Sequence, residues 1–137
     1  MNAAFESFLA GAPFLFSHFA VTIAMLGIGV VIYMWMTPHD ERTLIRDGNM
    51  AAAISLGAAI IGLALPLAIC MAYSASVWDI VIWGVVTLAI QIVTFKIIDL
   101  WVRNLSQRIE NGEIGTATLL AAIKVSVAAV NAAAVSG

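Results

Sequence analysis

The segment Ile45-Arg46-Asp47-Gly48-Asn49-Met50-Ala51-Ala52-Ala53-Ile54-Ser55-Leu56-Gly57-Ala58-Ala59-Ile60-Ile61-Gly62-Leu63-Ala64-Leu65-Pro66-Leu67-Ala68 passes from charge to a long apolar run within a few residues. Gly48 suits the left-handed residue that ends a polar helix, and the Asn49 side chain can take a free amide at the start of the next. No charged residue follows Asn49 until Asp79, a stretch long enough for the ~20 apolar residues that a bilayer core requires. The chain therefore reverses at Gly48-Asn49 and enters a membrane.

Composition supports the same conclusion. The 137 residues are 63% hydrophobic and 10% charged, with a mean hydropathy of +1.05. Soluble domains carry about 25% charged residues, so lipid must solvate much of this surface. A net charge of -2 and the lack of a basic cluster exclude nucleic acid as a partner. The single cysteine, Cys70, forms no intrachain disulfide. It follows Leu67-Ala68-Ile69 like a lipoprotein box but lies deep in an apolar segment. Before Phe14 the only charged side chain is Glu6, unlike the basic start of a cleavable signal, so the first apolar segment is expected to stay as a membrane helix.

Four spans are expected, at Phe14–Met36, Asn49–Tyr73, Val77–Trp101 and Ile114–Val135. Thr37-Pro38 with Asp40 predicts a cap and first turn for a short helix over Pro38–Asp47. A tight turn at Ser74-Ala75-Ser76 joins the second and third spans. The polar stretch Arg103–Glu113 repeats the plan of the first connection, with Asn111-Gly112 in place of Asp47-Gly48. Arg42 and Arg46 lie in the first connection and Arg103 and Arg108 in the third, while both tails and the Ser74 turn lack Lys and Arg. The positive-inside rule then puts both Arg-bearing connections in the cytoplasm and both termini outside. Tyr33, Trp35 and Trp101 would mark the cytoplasmic interface, and Tyr73, Trp78 and Trp83 the other.

The offset that carries Gly48 to Gly112 aligns Ile45 with Ile109, Ala53 with Ala117, Gly57 with Ala121, Ala58 with Ala122 and Gly62 with Ser126. The chain thus reads as one membrane domain, 1–137, of two parallel two-helix repeats, 14–73 and 77–135. Small residues recur at four-residue spacing in Ala53/Gly57, Ala58/Gly62, Ala117/Ala121 and Ala122/Ser126, rows that let helices approach closely in lipid. General alanine richness would also produce such pairs.

The pattern Asp40-Glu41, then Ile45-Arg46-Asp47-Gly48-Asn49-Met50-Ala51-Ala52-Ala53-Ile54, then Gly57 and Gly62, resembles the YjfL-like inner-membrane family of bacteria, domain-of-unknown-function family three hundred and fifty. The second copy is looser: Glu113 replaces Asn49 and Lys124 replaces Ile60. The resemblance implies four spans in two tandem copies, a bacterial inner-membrane location and an association with envelope maintenance. It implies no activity and supplies no catalytic residue.

Lys124 is the sharpest chemical signal, about ten residues into the last span and so near the bilayer midplane at ~1.5 Å per residue. A lysine there costs about 2.5–3.5 kcal/mol on insertion scales. Its stem leans toward the helix N-terminus and would snorkel that way. Gln91 is its expected partner on depth. The pair reads either as an ion-path site or as a packing contact that fixes register. Lys96, Asp99 and Arg103 share a helix face, as an interfacial ion ladder or as the mouth of a polar path. Asp40, Glu41 and Asp47 with Arg42 and Arg46 form a mixed face suited to water, anionic lipid or a cytoplasmic partner. Consecutive His39, Asp40 and Glu41 would diverge on a helix and make a poor metal site. His18 reads as a hydrogen-bonded interface residue or a proton relay. Pro66 frees a backbone carbonyl that Asn131, at a matching level, would satisfy.

No phosphate loop, nucleotide fingerprint, zinc spacing or nucleophile elbow is present. The expected function is a non-enzymatic structural or adaptor subunit without cofactors, self-associating or part of a membrane complex. The alternative is a small channel or transporter subunit with a path lined by Lys124 and Gln91.

Overall fold

The computed structural model describes residues 2–137. Its elements are α1 (Asn2–Met36), α2 (Glu41–Arg46), α3 (Met50–Tyr73), α4 (Val77–Trp101), α5 (Leu105–Glu110) and α6 (Ile114–Ser136). No strand occurs among the described residues. Four of the helices, α1, α3, α4 and α6, have the length and hydropathy of membrane spans, and the protein is an all-α polytopic membrane protein.

The α1 helix begins well before the expected Phe14. Ala3, Ala4, Phe5, Phe8 and Leu9 favour helix, and Pro13 lies on the exposed face, where one lost backbone bond is tolerated. Its 35 residues span about 52 Å at ~1.5 Å per residue, against a hydrocarbon core of ~30 Å. The surplus is the N-terminal part that contains Asn2 and Glu6.

The first connecting helix also departs from expectation. Thr37 does not cap it, because its hydroxyl donates back to the Tyr33 carbonyl at 2.9 Å. Asp40 is the cap, accepting the Thr43 amide at 3.3 Å and the Thr43 hydroxyl at 2.7 Å. The helix is thereby shortened to Glu41–Arg46.

Both connections end alike. Gly48 and Gly112 take φ values of +87° and +77°, the left-handed region that glycine enters without Cβ strain. The amides of Asn49 and Glu113 donate to the carbonyls of Leu44 and Arg108, at 2.8 and 3.0 Å. The Asn49 side chain then accepts the Ala52 amide at 3.0 Å. Ser76 and Asp79 form a reciprocal capping box that starts α4.

Helix α3 is the hub. It packs along α6 over most of its length and also meets α1 and α4, whereas α4 meets α6 over a shorter span. In lipid this association rests on close packing rather than on expulsion of water. A Cβ on Gly62 would collide with the Phe95 ring, and one on Gly84 would lie 2.6 Å from Met25 Cε. Leu63, Leu67 and Ile80 are fully buried beside them. The lipid-facing surface carries Phe16, Trp35, Trp78, Trp83 and Trp101. Tyr33, expected at the interface, is instead buried at 4% exposure. It projects from the same α1 stripe as His18, Thr22, Met25 and Gly29, the stripe that faces the bundle.

Candidate functional site

Helix α4 places Gln91, Phe95 and Asp99 on one buried face by their four-residue spacing. Antiparallel to it, α6 presents Lys124, Ala128 and Asn131. The two seams meet as two polar pairs with an aromatic ring between them.

The first pair centres on Lys124, which is 1% exposed. Its Nζ donates to the Tyr33 hydroxyl at 2.8 Å and lies 2.6 Å from Asp99 Oδ1. The Asp99 contact is short but is not aligned as a hydrogen bond, so Tyr33 takes the aligned proton and Asp99 supplies the opposing charge. The ammonium also lies 5.1 Å from the Tyr33 ring centroid and 5.4 Å from that of Phe95, within the range of cation–π attraction. Ser55 of α3 lies beside the Tyr33 hydroxyl. Desolvating both ions costs several kcal/mol each, and their mutual attraction with added hydrogen bonds offsets it. All four spans contribute to this cluster.

The second pair is neutral. Asn131 Nδ2 donates to Gln91 Oε1 at 2.8 Å, while Gln91 Nε2 is buried without a partner. The expected Lys124–Gln91 contact is therefore absent. The lysine stem leans toward the start of α6 and carries the ammonium to Asp99 instead. Asn131 likewise serves Gln91 rather than the carbonyl freed by Pro66. Phe95 fills the gap between the pairs, fully buried and edge-on to Tyr33 with centroids 6.0 Å apart.

Each pair borders an open cleft. At the connecting-helix end a cleft of about 470 Å³ is lined by His39, Lys96, Asp99, Arg103, Ser106 and neighbours. At the opposite end a cleft of about 440 Å³ is lined by Tyr73, Trp83, Thr87, Asn131 and neighbours. Lys96, Asp99 and Arg103 do border one space. Lys96 nonetheless donates to the Met36 carbonyl at 3.0 Å and Asp99 turns inward to Lys124, so they are not a ladder of ion pairs.

His39 and Glu41 come together where divergence was expected. His39 precedes the first turn of α2 and is free of helical geometry. Its Nδ1 lies 3.1 Å from Ser106 Oγ of α5, and its Nε2 lies 3.4 Å from Glu41 Oε1. Both side chains are buried, and Glu41 has no other polar partner. This contact joins α2 to α5. Among the described residues no group of three His, Cys, Asp or Glu side chains is placed to hold a metal ion.

Asp40, Arg42, Arg46, Asp47 and Arg103 are exposed. The Thr43 hydroxyl and amide hold the Asp40 carboxyl below its usual range. His18 is buried on α1, with Nδ1 2.9 Å from the Phe14 carbonyl and Nε2 unpartnered. Of the small-residue rows, Ala58, Gly62 and Ala117 are buried, Ala53, Gly57 and Ala121 partly so, and Ala122 and Ser126 face outward. Sequence reasoning missed Tyr33, Phe95, Ser55 and Ser106. Of these Phe95 alone left a trace, midway between two intramembrane polar residues at helical spacing.

Comparison with known proteins adds a family and a location. The model of DUF350, a domain of unknown function, matches residues 7–135. The chain is 32% identical over 113 residues to UPF0719 inner membrane protein YjfL of Escherichia coli strain K12, covering 78% of this chain and 86% of that protein. The protein of that name in Escherichia coli O157:H7 matches to the same extent. No solved structure matches.

Proposed function

The chain belongs to the DUF350 family of bacterial inner-membrane proteins, and on that footing we propose that it is a non-enzymatic structural or adaptor subunit that self-associates or forms part of a membrane complex. One observation carries this reading. The outer face of α6 presents Gly115, Thr118, Ala122, Ser126, Ala129 and Ala133, all exposed and spaced as a single stripe. At the offset carrying Gly48 to Gly112, Gly115, Ala122 and Ser126 correspond to Ala51, Ala58 and Gly62. On α3 those three positions are buried. The same sequence positions are covered by helices in one half and bare in the other. A second copy of the chain, or another membrane subunit, supplies the missing cover, since small residues favour helix contact in lipid.

With Arg42, Arg46 and Arg103 on the cytoplasmic side, the connecting helices would meet anionic lipid or a cytoplasmic partner. The two halves, 14–73 and 77–135, would be tandem copies, and the family's envelope-maintenance link fits such a subunit. Single cysteines at Ala122 and Ala129, in a Cys70→Ser background, should crosslink between copies in native membranes, while a cysteine at lipid-facing Val93 should not. A monodisperse monomer in mild detergent, with no crosslink at Ala122, rejects the reading.

A second reading, a small ion channel or transporter subunit, is favoured by a different observation. Two buried polar pairs, one containing Lys124 and one containing Gln91, each border a cleft open at a different end of the bundle.

A further inference from the structure

We propose that the α4–α6 seam carries protons across the bundle, with Lys124 and Asp99 as the proton-holding pair and the Phe95 ring as the barrier. This rests on the channel reading and names its ion. Three observations support it. A half-shielded carboxylate, 17% exposed in its side chain, faces the connecting-helix cleft while its ammonium partner is 2% exposed. Beyond the ring, Gln91 Nε2 is buried with no partner, and Asn131, bonded to Gln91, lines the opposite cleft. On that face of α4 the Phe95 ring lies between Asp99 and Gln91, with Ile92 buried beside it, and the ring packs against Gly62 and Tyr33.

The cycle balances with no co-reactant. Asp99 carboxylate takes a proton from hydronium in the connecting-helix cleft, whose O–H bond breaks to leave water as the carboxyl O–H bond forms. Lys124 ammonium has then lost its counter-charge in an apolar interior. With the Phe95 ring rotated aside, its N–H bond breaks and the proton passes by water to the Gln91–Asn131 side and the opposite cleft. The Asp99 carboxylic acid then returns its proton to the Lys124 amine, which restores the ion pair. One proton has crossed. Along α6 the step from Lys124 to Asn131 is about 10 Å at ~1.5 Å per residue, a span that a few waters bridge once the ring moves.

The groups facing the pair fit a proton rather than a bulk anion. Tyr33 of α1 accepts from Lys124. Lys96 and Arg103 share the cleft with Asp99, and His39 borders it. Glu41 of α2 lies near enough to Tyr33 to act on it electrostatically. Helix α3 contributes only Ser55 and Gly62, which carry no charge. Lys96 and Arg103 disfavour any cation in the cleft by charge, so selection for a proton rests on the Phe95 ring, which together with Gly62 leaves no passage for a hydrated ion.

The test uses the full chain in liposomes at about one copy per vesicle, so that oligomers do not enter. A potassium gradient with valinomycin drives proton entry, read by a trapped pH dye. Potassium and chloride fluxes are read in separate vesicles without valinomycin. Wild type should exceed empty vesicles by about tenfold, as expected where an intramembrane ion pair marks a proton route. The double variant Asp99→Asn/Lys124→Met leaves no orphan charge and should fall to background, with helicity and monodispersity confirming that it folds. Phe95→Leu should raise the flux by roughly threefold or more through a thinner barrier. Wild-type flux at background for all three ions overturns the proposal and any channel formed within a single copy. Potassium or chloride flux without proton flux overturns the proposal alone, as does proton flux unchanged in the folded double variant.

Discussion

From Asp40 to Ala53 and from Asn104 to Ala117 the backbone makes matching hydrogen bonds. Leu44 N to Asp40 O is matched by Arg108 N to Asn104 O, Asp47 N to Thr43 O by Asn111 N to Gln107 O, and Ala53 N to Asn49 O by Ala117 N to Glu113 O. The side chains that support the two turns differ. In the first, Asp40 and Asn49 both cap helices. In the second, Asn104 sits at φ +56° and neither it nor Glu113 makes a cap bond. Support reaches α5 from the other half instead. Asn49 Nδ2 donates to the carbonyls of Ile109 and Glu110 at 2.8 and 3.2 Å, and His39 contacts Ser106. A glycine at positive φ is enough to set the turn. The Asn49 and His39 contacts serve carbonyls and a hydroxyl of α5, not the amides that an N-cap would take. The two halves differ within the membrane as well: Lys124 is buried where its counterpart Ile60 is 37% exposed.

The sharpest way to break this contrast is at those two positions. Lys124→Met leaves Asp99 an unpaired buried charge and should destabilise the bundle by about 3–5 kcal/mol. Adding Asp99→Asn should recover most of that loss. Ile60→Met should stay within about 0.5 kcal/mol, as expected for a lipid-facing swap of similar size. Unfolding in mixed micelles measures all three. A Lys124→Met protein as stable as wild type would mean that the ion pair does not hold the second half in place.

The close-packing rows give a smaller effect with the same logic. Gly62→Ala drives a Cβ into the Phe95 ring and should cost about 1–3 kcal/mol as overpacking. At the matching position, Ser126→Ala should leave the stability of the monomer within about 0.5 kcal/mol. Its hydroxyl bonds only its own helix, at the Ala122 carbonyl 2.7 Å away.

Why some of this was legible in the sequence and some was not follows from the range of each interaction. The ends of α4 and the start of α6 match the expected Val77–Trp101 and Ile114, because hydropathy and the Gly112 turn are local signals. Depth alone marks Lys124 as a costly intramembrane charge, without saying whether it faces helix, lipid or water. Its partner is not legible, because depth ignores the direction in which a long stem leans, and about two helical turns separate Gln91 from Asp99. Tyr33 reads as an interface residue from its position along the helix, whereas its burial depends on which α1 stripe meets the bundle. The His39–Glu41–Ser106 contact had no sequence signal at all. It depends on Thr37 folding back onto Tyr33, which delays α2 until Asp40.

At the caps the contrast becomes a matter of single bonds. Asn49→Ala removes the α3 cap, worth about 1 kcal/mol, and strips α5 of two carbonyl partners at about 0.5–1.5 kcal/mol each. Both halves should loosen, with faster amide exchange at Ala52 and across α5. The reciprocal change, Glu113→Asn, should add a cap to α6 and slow exchange in its first turn by several-fold, an effect of about 1 kcal/mol at most. If Asn49→Ala disturbs α3 alone, the second half does not depend on the first.

The smallest expected effect is in pH. Asp40 has its carboxyl held below the usual range, chiefly by the Thr43 hydroxyl and next by the Thr43 amide. A carboxylate lowered on folding contributes stability that is fully present above its unfolded value, near ~3.9, and is lost as pH falls through the lower folded value. Acidification from neutrality to about pH 4 should therefore leave α2 intact, with protection at the Thr43 amide falling only below that. Helix α5 has Asn104 at the equivalent place and makes no cap bond there, so the Arg108 amide should show no matching loss. Asp40→Asn removes the titrating group and should flatten the α2 profile toward that of α5. If the two connections lose protection together in wild type, their caps are not the cause. The shared element would then be the His39–Ser106 contact that joins them.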